Sequence, residues 1–281
     1  MKSFLIVLLI LPLFAFTQNR QTPDDIVNLI KKNVTCDWAD KTVDTFKAGD
    51  PTLELKGIAV CMFADIATLE KAVALDCNFI ITHEPIFYNH LDQTSSFIND
   101  PVYLEKQKYI QDNNLVVFRF HDHIHRTTPD GIYEGMINKL GWKQYAIEGS
   151  LTNFNVPKTT ISMFCKELKE TLGLETVRVI GDPKMKFTNV VFSAGAPGGQ
   201  SHIKTLRNKN VEVLVAGEAP EWETYLYAND AVTQGKNKAV IFLGHVKSEE
   251  AGMEYCADWL QRFVKNTPIH FIENELNFTN L

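Results

Sequence analysis

The chain has 281 residues, 45% of them hydrophobic and 22% charged, with a formal net charge of −6. That composition is ordinary for a globular protein, and the length suffices for one large domain or two small ones with a sizeable core. The acidic balance argues against nucleic acid as a partner, because such binding shows as a clustered basic surface.

The first element is residues 1–17. Lys2 precedes an apolar stretch from Phe4 to Phe16, followed by Thr17 and Gln18. The stretch is shorter than the roughly 20 residues of a membrane span. It has the form of a secretory signal, with Ala15 and Thr17 as the small residues before cleavage. The expectation is an exported protein, periplasmic or secreted, free of the membrane once the signal is removed. No cysteine follows the apolar run, which argues against a lipid anchor. The five cysteines, Cys36, Cys61, Cys77, Cys165 and Cys256, are odd in number and form no CxxC pair. They read as small buried hydrophobes.

Strand-like runs follow at 56–63, 77–82, 114–120, 189–194, 211–216 and 238–244, with helix-like stretches such as 65–75 and 201–210 between them. Short apolar strands alternating with helical periodicity predict α/β layers with at least part of each sheet parallel. The chain also repeats itself. "GIAVCMF", "FIITHEP" and "LVVFRFHDHIH" in the first half answer to "NVVFSAG", "VLVAGEAP" and "AVIFLGHVKSEE" in the second. The expected fold is α/β: two related lobes whose strand ends converge on a shared cleft, where open α/β sheets bind ligands. Residues 18–145 plus 236–281 are assigned to the first lobe and 146–235 to the second, with 146–160 read as the linker.

Polar residues gather at the strand ends. Of eight histidines, His83, His121 and His245 stand directly at strand ends and His125 just beyond. Glu84 follows His83, and Glu249 lies four residues after His245. In an extended "HDHIH", His121, His123 and His125 would point to one side; a helix starting near Ser248 would put Glu249 in its first turn. Each piece alone is weak. Together, four imidazoles and two carboxylates exceed what one tetrahedral zinc requires and suit two first-row divalent ions. No Ser or Cys nucleophile motif accompanies them.

Six segments carry a family resemblance: "TVDTFKAGDP" (42–51), "FIITHEPIFY" (79–88), "FRFHDHIH" (118–125), "SAGAPGGQSHI" (193–203), "VAGEAPEW" (215–222) and "GHVKSEEAGMEYCADWL" (244–260). In order and spacing the chain resembles the dinuclear-metal proteins called GTP cyclohydrolase I type 2-like, also known as the NGG-interacting-factor-three-like family, over nearly its whole length. The resemblance implies two divalent transition-metal ions (Zn, Fe, Mn, Ni or Co) on His83, Glu84, His121, His125, His245 and Glu249. It departs from the family pattern twice, with Glu84 where the family has a second histidine and His125 where it has an aspartate. The tally of four histidines and two carboxylates is preserved. A bridging role would need Glu84 to reach between the ions, and His123 is a spare ligand or supporting partner.

By the same resemblance Glu218, the counterpart of Glu84 in the second half, is the general base or solvent-positioning residue. The glycine-rich turn at 196–203 reads as a tight turn into a helix. Members of the family form homo-oligomers, toroidal hexamers among them. The resemblance implies a metal-dependent hydrolase of an unknown small molecule. A non-catalytic metal-handling protein and a scaffold oligomer stay open beside it.

Overall fold

A computed structural model describes residues 20–276 together with 278 and 279. The signal-like segment lies outside the described residues. In chain order the first part is α1 (Pro23–Asn33), β1 (Phe46–Ala48), β2 (Ile58–Cys61), α2 (Ile66–Ala74), β3 (Phe79–Thr82), α3 (Pro101–Asp112), β4 (Val116–Arg119), α4 (Asp122–Arg126) and α5 (Gly131–Leu140). The second part runs β5 (Asn153–Thr160), α6 (Ile161–Leu172), β6 (Arg178–Ile180), β7 (Lys186–Ser193), α7 (Gly199–Leu206), β8 (Val213–Ala216), α8 (Leu226–Thr233) and β9 (Ala239–Phe242). The chain closes with α9 (Glu250–Gln261) and β10 (Ile269–Phe271).

The strands form two five-stranded sheets, ordered β1-β4-β3-β2-β10 and β5-β7-β8-β9-β6. Each has a parallel part, β10-β2-β3-β4 in one and β7-β8-β9 in the other; β1 adds one antiparallel edge to the first, and β5 and β6 add antiparallel edges on both sides of the second. Strands β2, β3, β4, β8 and β9 are buried on both faces, which is why they read as near-continuous apolar runs rather than alternating ones, with Arg119 at the end of β4 the one charge among them. One face of the first sheet packs on α2 and α3 through Leu69, Ala72, Tyr103 and Ile110. Its other face packs on α9 through Met253, Cys256 and Leu260.

Helix α5 ties the sheets together. Ile132 belongs to the core of the first sheet, and Met136, Ile137 and Leu140 to that of the second. It crosses α9 at two glycines: a Cβ on Gly135 would lie 2.3 Å from Ala251 O, and one on Gly252 would lie 2.4 Å from Ile132 Cα. Only side chains of zero size allow the backbones so close.

Three expectations need correction. The segment 146–160 is not a plain linker, because its second half is β5, hydrogen-bonded along β7. The return to the first lobe does not begin at 236: Ala239–Phe242 pairs with β8 inside the second sheet, as the internal repeat implies. "HDHIH" is not extended, since Asp122–Arg126 forms the short helix α4. Four of the cysteines are buried and Cys36 is half-buried, all of them free.

Candidate metal centre

The parallel strands fix where the site lies. His83 directly follows β3, and His121 stands two residues past β4, where the chain enters α4. Glu218 lies two residues past β8, and His245 three past β9. All leave the carboxyl ends of their strands, where side chains of neighbouring strands converge. Because α4 is helical, His121 and His125 are four residues apart and share a face. Their rings stand 5.2 Å apart and lie 4.6 and 5.1 Å from that of His83. His123 is carried to the opposite side. It is fully buried, stacks on Trp38 at 3.7 Å, accepts Ala39 N–H through Nε2 and donates from Nδ1 to Asp44. That packing takes it out of the ligand set.

The four remaining rings share one orientation. Nδ1 of His83 donates to Phe120 O at 3.1 Å, and that of His121 to Asp122 Oδ1 at 3.0 Å. Nδ1 of His125 donates to Asp130 Oδ2 at 3.0 Å, and that of His245 to Glu218 Oε1 at 3.3 Å. Each acceptor is an oxygen without a proton, so each Nδ1 carries the hydrogen and each Nε2 faces inward. Outer acceptors of this kind are what fix the tautomer of a metal-binding imidazole.

Two carboxylates face these nitrogens. Glu249, held between a single 3₁₀ turn (Val246–Ser248) and α9 rather than within the helix, presents Oε2 to His245 Nε2 at 3.1 Å and to His83 Nε2 at 3.6 Å. Its Oε1 stands 3.9 Å from His125 Nε2. Glu84 presents Oε1 to His245 Nε2 at 3.1 Å and to His121 Nε2 at 3.8 Å. The second lobe presses on this centre through Gly195, at φ +60, where a Cβ would lie 2.2 Å from Glu249 Oε1.

Whether these residues fit a cation can be judged from the groups themselves. Nε2 of His83 is buried and has no hydrogen-bond partner. Burial, with the charge of His125 and His121 beside it, holds that imidazole well below its ordinary pKa, so it stays an unprotonated donor. Burial alone would lower His245 too, but its bonds to Glu249 and Glu84 carry it up to about 10. Burial works against the ionised form of Glu84, and the bond from His245 together with the charges of His245, His121 and Arg119 more than offsets it, holding the carboxyl below its usual value. A proton on His245 thus balances the carboxylates where a cation would compete for the same lone pairs. The triads His83, His121, His125 and His83, Glu84, Glu249 each bring ligand atoms within 4.8 Å of one another and can hold a metal ion.

A family model described as Duf34/NIF3 (NGG1p interacting factor 3) matches residues 22–277. The chain belongs to this family. Among curated Duf34/NIF3 relatives, a Clostridium acetobutylicum protein named GTP cyclohydrolase 1 type 2 homolog is 23% identical over 244 residues, 82% of this chain and 87% of that protein. The fold is shared with a Staphylococcus aureus protein at a TM-score of 0.70 and 15% identity, over 93% of this chain and 99% of the other. It is shared equally with a Bacillus cereus protein related to NIF3, at a TM-score of 0.68 and 14% identity over 93% and 99%.

The residues that orient the ligands escape a reading of spacing. Asp122 and Asp130 hold two rings, and Asp44 in the "TVDTF" segment accepts the backbone N–H groups of His121, Asp122 and His123, at 2.7, 2.8 and 2.9 Å. Arg119, whose Nε donates to His83 O at 3.1 Å, does leave a signal, as a charge at the end of an apolar strand.

Proposed function

We propose that this Duf34/NIF3 protein is an exported metal-dependent hydrolase that holds two divalent first-row ions on His83, Glu84, His121, His125, His245 and Glu249. The observation that carries the reading is the shared orientation of four imidazoles, every Nδ1 engaged outward and every Nε2 inward, around two carboxylates. A closed structural zinc needs four ligands, so six converging donors exceed a stability site.

Divalent ions bound there would supply Lewis acidity and a water of lowered pKa, the chemistry of amide, cyclic amidine and phosphoester hydrolysis. The chain's own groups do the rest. Glu218 Oε1 orients His245 while the remainder of its half-exposed carboxylate faces solvent, where it can accept a proton and return it to a leaving group. Phe63, 6.3 Å from the His245 ring, and Tyr133, 6.5 Å from that of His125, pack edge-on against two of the imidazoles. Small molecules with such a bond are the proposed substrates. The relatives' name makes GTP one compound to screen, though an exported protein meets little of it. By family resemblance the protein is proposed to be a homo-oligomer, a hexamer among the possible forms.

Metal content of the purified mature protein, set beside a His245→Ala, Glu249→Ala double variant, tests the reading. About two ions per chain, lost in the variant, is the expected result. A chain that takes up none after resupply, purified without chelators, overturns it. Stoichiometric metal with no turnover across a broad hydrolase screen would instead favour a metal-handling protein.

A further inference from the structure

Strand β4 carries one charged residue, Arg119, whose side chain is completely buried at the floor of the metal centre. Its Nε donates to His83 O at 3.1 Å. One terminal nitrogen donates to His90 O and stands 3.7 Å from Asp92 Oδ2. The other donates to Glu84 Oε2 at 3.5 Å. Asp92 in turn lies 3.4 Å from Lys47 Nζ and accepts the N–H groups of Ile86 and Phe87 through Oδ1. Four buried charges therefore alternate in sign, Lys47, Asp92, Arg119, Glu84, with side-chain exposures of 9%, 3%, 0% and 10%.

This row of charges divides the two central carboxylates into unlike groups. Both oxygens of Glu249 face imidazoles, and no arginine or lysine is paired with it among the described residues. Glu84 gives only Oε1 to His245 and His121, because Oε2 is taken by Arg119. The same guanidinium grips the main chain of His83 and the side chain of Glu84, so it sets both members of the dipeptide. A planar fork with fixed donor directions can span those two partners at once, whereas an ammonium is a point charge.

We infer that Arg119 is the positioning residue that makes Glu84 a one-oxygen ligand, turning Oε1 into the centre and withdrawing part of its charge. The inference rests on the metal-centre reading above. Its consequence is that the two ions are held unequally: the binding event that depends on Glu84 is set by Arg119, and the other is not.

The experiment is a zinc titration against a chromophoric chelator, on wild type, Arg119→Lys, Glu84→Gln and the double variant, with far-UV circular dichroism as the folding control. Arg119→Lys is expected to loosen one of the two binding events by about 10-fold, the lower end for loss of a ligand-orienting partner, and to leave the other within about 2-fold. In the Glu84→Gln background the same change is expected to have no further effect. Equal weakening of both events, or an undiminished loss without the Glu84 carboxylate, would mean that Arg119 acts only through the fold and overturns the inference. Wild-type affinities in Arg119→Lys would do the same. Wild type that binds no zinc removes the metal-centre reading itself, so the two failures are distinct. A crystal structure of zinc-loaded wild type gives a test that needs no variant. Glu84 is expected to coordinate through one oxygen with the other on Arg119, and a Glu84 coordinating through both, detached from Arg119, overturns the inference.

Discussion

Asp130 joins the capping of a helix to the orientation of the His125 imidazole. Its Oδ1 accepts the N–H groups of Ile132 and Tyr133 at the start of α5, and its Oδ2 accepts from His125 Nδ1 at 3.0 Å. Burial works against a proton on His125, but that bond and the charges of Asp130, Glu249 and Glu84 together outweigh it and raise the His125 pKa. One carboxylate thus caps the helix that binds the two sheets and fixes a ring of the candidate metal centre. Asp130→Asn keeps the capping oxygen but can offer His125 a donor in place of an acceptor. Zinc affinity is expected to fall by about 10-fold, while stability of the metal-free protein changes by about 1 kcal/mol or less. Titration and urea unfolding check the two halves separately. A collapse of stability with unchanged affinity would show that Asp130 serves the helix alone.

Glu218 differs from the other carboxylates in lying at the open side of the centre. Glu218→Gln preserves a carbonyl oxygen for His245 Nδ1 but removes the ability to take a proton. On any substrate that the metal-loaded protein turns over, kcat is expected to fall by about 100-fold, the common contribution of a positioned acid–base group. Metal content should stay as in wild type. A variant that loses its metal instead would assign Glu218 to holding His245 and nothing more.

Asp44 supports α4, a helix of five residues, too short to be stable alone. His121, at its N-cap, makes no capping bond with its own side chain, and three of the N–H groups left open at the helix start, those of His121, Asp122 and His123, end on Asp44. Asp44 also receives His123 Nδ1 at 2.7 Å. Asp44→Ala is expected to cost about 3 kcal/mol, from several bonds to a buried charged acceptor, and to loosen both His121 and His125. His123→Ala is expected to cost about 2 kcal/mol through lost packing on Trp38 while metal stoichiometry is kept. Guanidinium unfolding and elemental analysis together separate these outcomes. Metal lost on His123→Ala alone would return His123 to the ligand set.

The contrast between His123 and its neighbours shows what the chain reveals about itself and what it hides. Buried parallel strands announce themselves, since a strand covered on both faces has no polar positions to alternate, and the histidines that end them stand out for that reason. The path of "HDHIH" is different. Five residues of mixed polarity carry no periodicity, and they become helical because Asp44, some 80 residues earlier, caps them. Edge strands β1, β6 and β10 are three residues each, β1 and β10 half-exposed and β6 largely exposed, which leaves them without a pattern of their own. The linker reading failed at β5 for a similar reason. Its strand is an edge, and Pro157 within it reads as a break although edge strands tolerate proline. Supporting partners such as Asp130 lie on turns, where aspartate is common for capping alone, so nothing in their spacing marks them as site residues.

Lys106 gives a prediction in pH. It is buried, donates to Ile86 O at 2.8 Å and lies 5.4 Å from the Tyr88 ring centroid, beneath the loop that leaves the metal centre. Burial lowers its pKa from 10.5 to about 8, against the pull of Asp65, Cys61 and Asp92. Between those values the unfolded chain keeps a proton that the folded protein has released, so stability from this group rises with pH. Below about 8 both states are charged and the full penalty of burying the ammonium is present; above 10.5 both are neutral and it is gone. A difference of one whole proton between the two states changes stability by about 1.4 kcal/mol for each pH interval of one, so the rise from about pH 7.5 to about 9.5 should approach 2 kcal/mol. Lys106→Met removes the titrating group, so its stability should not share that rise. Urea unfolding of both proteins across the interval measures the difference, and parallel curves would show that Lys106 keeps its proton inside the fold.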